Sequence, residues 1–219
     1  SGSLTSINDG GMRVTPPVAN AGSTSYEYPD PQWKIGVTVM GPQGPDSIRR
    51  VLTFTTPPLD QDIEVTGPIV LELYVSSTAT DADFIVKLAD QFFQSPEDQN
   101  AGLQPASANV SKGWMRASHR QKDEERSTKL RPFYTHNSPQ PIIPGEIYKL
   151  DIEVLPCAYV FKAGHRIRLE IANMDSPMTD AIFTHQYLYY KVGSDTIHHN
   201  LKYPSRIHLP LISRGRRKG

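Results

Sequence analysis

The sequence lacks most of the features expected of a membrane-bound or disulfide-stabilised protein. It has one cysteine, Cys157, so no internal disulfide can form. No apolar run approaches the roughly 20 residues that a membrane-spanning helix needs. Lys plus Arg and Asp plus Glu number 23 each, which disfavours a general electrostatic affinity for nucleic acid or for an anionic membrane. The first residues show no basic and apolar leader, so we expect no signal peptide and a cytoplasmic protein.

The familiar signatures of catalytic sites are also missing. No serine stands in a G-x-S-x-G context, and the alternating strand–helix pattern that would build a nucleophile elbow is absent. The histidines show no H-E-x-x-H or other zinc spacing. His198 and His199 are neighbours on a predicted strand, so their side chains should point to opposite faces and chelate poorly. The sequence therefore predicts no catalytic residue, no metal ligand and no cofactor in this chain.

The sequence does contain a clear period-two alternation, which is centred on Arg49–Asp90. Leu52 and Phe54 share a face of the first run, and Ile69 to Val75 alternate in the second, with Glu72 and Ser76 opposite. Phe84, Val86 and Leu88 share a face of the third run, with Lys87 opposite. This pattern is typical of half-buried antiparallel strands. Pro57-Pro58 and Gly67-Pro68 are predicted to end the first run and start the second.

The same reasoning predicts further strands along the chain. They cover Trp33 to Val39, 110–120, 147–154, 165–173, 187–192 and 194–199, and a last strand carries Ile207, Leu209 and Leu211. Residues 155–164 are predicted to form a bend, and 91–108 a long polar loop. The one stretch compatible with a helix is Lys122 to Leu130. The sequence thus predicts about nine strands and very little helix.

These elements predict an all-β fold. Two antiparallel sheets packed face to face would let each alternating strand bury one side. A jelly-roll β-sandwich with long loops fits better than an immunoglobulin sandwich, because the chain has 219 residues and lacks the Cys…Trp…Cys spacing. The predicted organisation is a linker or N-terminal arm over 1–30, the sandwich over 31–213 and a basic tail over 214–219.

Two groups of residues suggest ligand sites, each with a structural alternative. Asp60 and Asp62, like Asp81 and Asp83, place carboxylates two residues apart on loops, which would suit calcium or an ordinary Asx turn. Exposed aromatic side chains could stack on sugars or pack at an edge or interface. The aromatic candidates are Trp33, Trp114, Tyr187, Tyr189 and Tyr190.

Five blocks of the sequence resemble a known family. Leu52–Asp90 resembles the signature of the C-terminal domain of X-prolyl dipeptidyl-peptidases and cocaine-esterase-like hydrolases. The other blocks are GWMRASHR (113–120), PGEIYKLDIEVLP (144–156), YVFKAGHRIRLEI (159–171) and YPSRIHLPLI (203–212). They follow the order of the family and span about 30–213.

The resemblance implies a galactose-binding-like jelly roll that follows an α/β-hydrolase domain carrying the serine nucleophile. That hydrolase domain is not in this sequence, so the resemblance assigns no catalytic residue here. Asp81, Asp83, His119 and Arg120 are better interpreted as supporting turns and strand starts. The first hypothesis is a non-catalytic domain that braces the hydrolase, shapes its active site or makes homo-oligomer contacts. The second is a free-standing carbohydrate-binding module.

Overall fold

The computed structural model describes residues 8, 10–17, 22–28, 40–41, 44–45, 51–101, 103, 105–173 and 188–212. The strands are β1 (Gly10–Gly11), β2 (Ser23–Tyr28), β3 (Met40–Gly41), β4 (Gly44–Pro45), β5 (Leu52–Thr55), β6 (Ile63–Ser77), β7 (Asp83–Gln91), β8 (Ser107–Arg116), β9 (Tyr148–Phe161), β10 (Arg166–Ala172), β11 (Gly193–His198), β12 (Arg206–His208) and β13 (Leu211–Ile212). A short helix, α1, spans Pro96–Asn100, and 3₁₀ turns span Ala117–His119 and Tyr189–Lys191.

Eleven of these strands form one curled sheet with the order β1-β5-β10-β7-β8-β9-β6-β11-β2, while β12 and β13 pair with β6. Strands β8 and β9 pair through Gly113 opposite Val154 alone. This junction divides the sheet into a first half (β1, β5, β10, β7 and β8) and a second half (β9, β6, β11, β2, β12 and β13). Leu88 in the first half and Ile152 in the second belong to the same buried core.

Strand β6 is the central strand of the second half-sheet. One edge pairs with β9 along its length, and the other pairs with β13, β12 and β11 in turn. Ile69, Leu71, Leu73 and Val75 are at most 1% exposed, which confirms the predicted core face. Glu72 lies on the opposite face, as predicted, but it too is buried.

Pro57-Pro58 and Gly67-Pro68 were predicted to bound strands; β5 ends at Thr55, before the first pair, but the structure differs at the second. Strand β6 runs through Gly67-Pro68, where the pairing with β9 shifts register between Gly67 and Ile69. Leu155 and Pro156 oppose Pro68 at this bulge, so neither proline has to donate a ladder hydrogen bond. Gly67 has a φ of +131°, which few other residues could adopt. The predicted bend over 155–164 is therefore wrong up to Phe161, where β9 ends.

The helix assignment also differs from the prediction. Residues 122–130 form turns and two isolated bridges, Lys122 with Tyr134 and Thr128 with Arg131, and no helix. The short helix α1 lies instead in the predicted loop 91–108, where the Ser95 hydroxyl caps it by accepting from the Asp98 amide at 3.0 Å. Residues 189–191 form a 3₁₀ turn rather than a strand. The predicted last strand is two short strands, β12 and β13.

The all-β class is confirmed, with almost no helix in the part of the chain that the structure describes. The sheet is mixed rather than purely antiparallel, because β1 runs parallel to β5. The predicted arm contributes both β1 and β2 to the sheet. The jelly-roll connection stays a prediction, and the predicted strand around Trp33 and the basic tail lie outside the described residues. Among the described helices, none has the length and apolar character to cross a bilayer.

Candidate functional site

A groove at the junction of the two half-sheets, here called the Trp114 groove, is lined by residues of β7, β8 and β9 and by residues 132–136. It has a volume of about 670 Å³. Its walls include Trp114, Phe133, Tyr134, Leu155, His119 and His136. Strand alternation creates it, because Met115 and Ala117 enter the core and turn Trp114 outward. The Trp114, Leu155 and Phe133 side chains are 46%, 56% and 38% exposed, so the groove is lined with apolar surface.

Ion pairs at one wall of the groove hold β7 and β8 in place. Asp83 accepts hydrogen bonds from Arg116 Nε at 2.8 Å and from its terminal nitrogen at 3.2 Å. Lys191, which is fully buried, also pairs with Asp83. Burial lowers the pKa of Lys191 to about 8, although Asp81 and Asp195 favour its charged form. Asp83 thus ties the 3₁₀ turn at 189–191 to the groove wall.

The predicted calcium pairs are engaged in protein contacts. Asp81 accepts from the Ala82 amide at 3.0 Å, and from the Ser118 amide and hydroxyl at 2.8 Å each. Asp62 accepts from the Ala163 amide at 2.9 Å and pairs with Lys162 at 2.8 Å. Within the described residues, no group of three or more His, Cys, Asp or Glu side chains could hold a metal ion. These contacts give Asp62 and Asp81 structural roles, but through residues distant in the chain rather than through Asx turns.

A second polar cluster is buried between β2 and β11. Asp195 Oδ2 accepts from Asn173 Nδ2 at 3.0 Å, while Asp195 Oδ1 and the Tyr26 hydroxyl have no hydrogen-bond partner among the described residues. Burial raises the pKa of Asp195 to about 6, against the hydrogen bonds from Asn173 and Ser77. Burial, with help from Asp195, also raises the pKa of Tyr26. These groups are enclosed, so they support structure rather than reach a ligand.

His165, His198 and His199 each hydrogen-bond a different side chain, in separate parts of the structure. His165 Nδ1 lies 3.0 Å from both oxygens of Asp90, which also accepts from the Tyr159 hydroxyl at 3.0 Å. This is the geometry of a catalytic Asp–His pair, but no serine among the described residues bonds to His165. His198 Nε2 contacts Ser76 and His199 Nε2 contacts Thr24, each at 2.9 Å. Ser76 lies opposite Thr196 and Thr24 lies opposite Ile197 in the sheet, so the two histidine rings are on opposite faces of β11, as their alternation predicts.

His119 and His136 form the one direct histidine–histidine contact among the described residues. Their Nδ1 atoms are 3.0 Å apart at the rim of the Trp114 groove. His136 belongs to none of the sequence motifs considered above, so sequence reasoning missed the pair, and nothing in the spacing of 17 residues signals it. His185 lies outside the described residues.

Sequence reasoning also missed an ion cluster on the outer face of the second half-sheet. Glu72 contacts His208 Nε2 at 2.5 Å, Arg206 at 2.9 Å and Lys149 Nζ at 3.1 Å. Burial favours the neutral form of Glu72, but hydrogen bonds from Arg206, His208 and Lys149 outweigh it and lower the pKa to about 2. A carboxylate between apolar residues in a central strand could have signalled such a cluster.

Of the predicted sugar-stacking aromatics, the structure describes three. Trp114 lines its groove, whereas Tyr189 and Tyr190 lie in the 3₁₀ turn with ring centroids 5.7 Å apart. Tyr189 is 80% exposed and Tyr190 is 38% exposed. Trp33 and Tyr187 lie outside the described residues. The structure therefore brings no two of the three into the Trp114 groove.

Comparison with known proteins places the chain among hydrolase domains. The family whose model matches residues 4–208 is described as the X-Pro dipeptidyl-peptidase C-terminal non-catalytic domain. Cocaine esterase of Rhodococcus sp. is 29% identical over 232 residues, covering 98% of this chain and 36% of that protein. A Mycobacterium bovis protein named "Putative serine esterase" is 35% identical over 146 residues, covering 65% of this chain and 22% of that protein.

Solved structures show the same fold. A CocE/NonD family hydrolase from Staphylococcus aureus superposes with a TM-score of 0.68 at 21% identity, covering 93% of this chain and 34% of that one. An aminopeptidase from a marine sediment archaeon gives a TM-score of 0.66 at 21% identity, covering 93% of this chain and 35% of that one. The chain spans only about a fifth to about a third of the length of its curated relatives. From the match over residues 4–208, the chain belongs to the X-Pro dipeptidyl-peptidase C-terminal non-catalytic domain family.

Proposed function

We propose that this chain braces the α/β-hydrolase domain of a longer serine hydrolase by docking through the Trp114 groove. The observation that carries the proposal is the contiguous exposed apolar surface of Trp114, Phe133 and Leu155. Apolar patches of this kind mark interaction surfaces on proteins that are otherwise well packed. Away from this junction, the outer face of the second half-sheet carries the Glu72 ion cluster, so that part of the surface is less suited to docking.

The expected energetic contribution is large enough to matter. Covering a large apolar side chain contributes about 1.5–3 kcal/mol when burial is complete. Trp114 and Leu155 are about half exposed, so covering both would stabilise the joined domains by about 2 kcal/mol or more. Such a contact would also fix the orientation of this domain relative to the hydrolase domain, and so the position of any of its residues that border the active site. The parent enzyme would then hydrolyse an acyl ester or an X-Pro peptide, the two chemistries named for its relatives.

The proposal is tested first on the isolated chain and then on the longer hydrolase. The isolated chain should not turn over an X-Pro anilide or a simple aryl ester, because it carries no nucleophile elbow. In the longer hydrolase, the double variant Trp114→Ser/Leu155→Ser should lower the melting temperature and the activity together. Phe93→Ser is the matched control, since Phe93 is 70% exposed but lies away from the groove.

Two results would overturn this proposal. Robust turnover by the isolated chain would show that it is itself catalytic. A melting temperature and activity as little changed in Trp114→Ser/Leu155→Ser as in Phe93→Ser would show that the groove is not the docking face.

A carbohydrate-binding module is the second candidate, and the exposure of Trp114 beside polar groups supports it. An indole ring beside Lys112 and Glu153 offers both a stacking surface and hydrogen-bond partners for a sugar. Glycan-array binding by the isolated chain, lost in Trp114→Ala, would favour this function. If Tyr189→Ala abolished binding instead, the 3₁₀ turn rather than the groove would be the sugar site. Absence of glycan binding by the unaltered chain leaves the docking proposal as the better account.

A further inference from the structure

The contact between His119 and His136 has the geometry of a shared proton. The two Nδ1 atoms are 3.0 Å apart, with ring centroids at 5.2 Å and ring planes inclined by 44°. Two ring nitrogens can hydrogen-bond at this distance only when one carries a proton and the other does not. If both rings are protonated to imidazolium, each Nδ1 is a donor and each ring carries a positive charge, so the contact becomes repulsive.

The backbone at His136 shows that this contact holds a strained segment. His136 has a φ of +54°, the one positive φ among the described non-glycine residues. Holding a non-glycine residue in this region costs about 1 kcal/mol or more, so surrounding contacts must maintain it. Upstream, the Tyr134 hydroxyl donates to the Asp151 carbonyl at 2.6 Å. Downstream, the Gln140 amide donates to the Ser118 carbonyl at 2.7 Å.

From these observations we propose that His119 and His136 form a proton-operated latch at the rim of the Trp114 groove. With one ring donating to the other, the latch holds His136 against the 3₁₀ turn at 117–119. Protonation of both rings to imidazolium breaks this hydrogen bond and releases the His136 ring, so that this part of the rim moves away and the groove widens. Binding at the groove is thereby made sensitive to pH.

The charges around the latch do not compensate a second proton. The charged groups that line the groove are Asp83, Lys112, Arg116 and Glu153, and their formal charges sum to zero. Asp83 is moreover engaged by Arg116 and the buried Lys191. Arg120, next to His119 in sequence, adds a positive charge that stacks on the Tyr148 ring at 4.6 Å. The surroundings thus disfavour a doubly protonated pair and favour separation of the rings.

The test measures access to Trp114 on the isolated chain. The chain has two tryptophans, so a Trp33→Phe background leaves Trp114 as the reporter. Quenching of its fluorescence by acrylamide, which is uncharged, should increase about twofold from about pH 8 to about pH 5, the range in which imidazole titrates. His136→Asn should abolish this increase, because asparagine does not titrate and tolerates a positive φ. His119→Gln should abolish it as well.

The controls separate the latch from other titrations. His199→Asn alters a histidine that contacts Thr24 on another part of the surface, so it should retain the pH response. The proposal is overturned if quenching does not change with pH in the Trp33→Phe background, or if His136→Asn and His119→Gln respond like that background. The readout needs no hydrolase domain, so its failure is distinguishable from a failure of the docking proposal.

Discussion

Individual buried charges in this protein are stabilised by partners that come from distant parts of the chain. Glu72 lies in the middle of β6, and its carboxylate is satisfied by Lys149 of β9 and by Arg206 and His208 of β12. A carboxylate left alone at this site would be neutral, because burial disfavours charge. Hydrogen bonds from Arg206, His208 and Lys149 reverse that preference, so Glu72 links three strands.

Glu72→Gln is therefore expected to lower the free energy of unfolding by about 3 kcal/mol at neutral pH, since the lowering of the Glu72 pKa corresponds to about that energy. The folded-state pKa of about 2 is below the unfolded value of 4.5, so this contribution is present above about pH 4.5 and is lost as the pH falls toward 2. Urea unfolding at pH 7 and at pH 3 measures the difference. Glu124→Gln, at an exposed position, is the control. An equal loss in both variants would contradict the role of Glu72 in linking the three strands.

At the scale of elements, the curled sheet depends on how closely β8 approaches β9. The two strands meet where Gly113 faces Val154, and this pair alone joins the halves of the sheet. A Cβ on residue 113 would lie 2.3 Å from the Glu153 carbonyl oxygen, which is far inside van der Waals contact. The side chains of Trp114 and Leu155 lie beside this junction. The shape of the Trp114 groove therefore depends on the absence of a side chain at residue 113.

Gly113→Ala should accordingly destabilise the protein by about 2–3 kcal/mol or more, because backbone rather than a movable side chain must shift. The same change should also alter the fluorescence of Trp114. Thermal unfolding followed by circular dichroism provides the measurement. Gly11→Ala is the matched control, since a Cβ there has no atom within 4 Å. If the two variants had the same melting temperature, the close-approach argument would fail.

At the scale of the whole molecule, the two half-sheets enclose one hydrophobic core. Leu88 of β7 and Ile152 of β9 are both fully buried in it, although they belong to different halves. Neither half could bury its apolar face without the other. The protein is thus expected to unfold as one unit, and the Trp114 groove, on the outside of this core, is free to serve an interaction.

Leu88→Ala and Ile152→Ala should each lower the midpoint of the same single transition, with a loss of about 2–5 kcal/mol as expected for large-to-small core changes. Far-ultraviolet circular dichroism and tryptophan fluorescence should give coincident curves in both variants. Two separate transitions, with each variant shifting only one, would indicate two independent units.

Much of the fold could be predicted from the sequence, because strand alternation is a local property. The period of two from Ile69 to Val75 identified the core face, and the missing nucleophile elbow argued against catalysis by this chain. The helix predicted at 122–130 was wrong because these residues form turns, with bridges from Lys122 to Tyr134 and from Thr128 to Arg131. The break predicted at Gly67-Pro68 was wrong because the prolines meet at a bulge.

The sequence by itself determined the class of the fold and, through five ordered blocks, the family to which the chain belongs. Only the tertiary structure decided that Glu72 meets Arg206, that His119 meets His136 and that Gly113 forms the junction of one curled sheet. The physical reason is the range of each effect. Side-chain alternation follows from the backbone geometry of a single strand, whereas ion pairs, shared protons and close backbone contacts depend on which distant strands become neighbours.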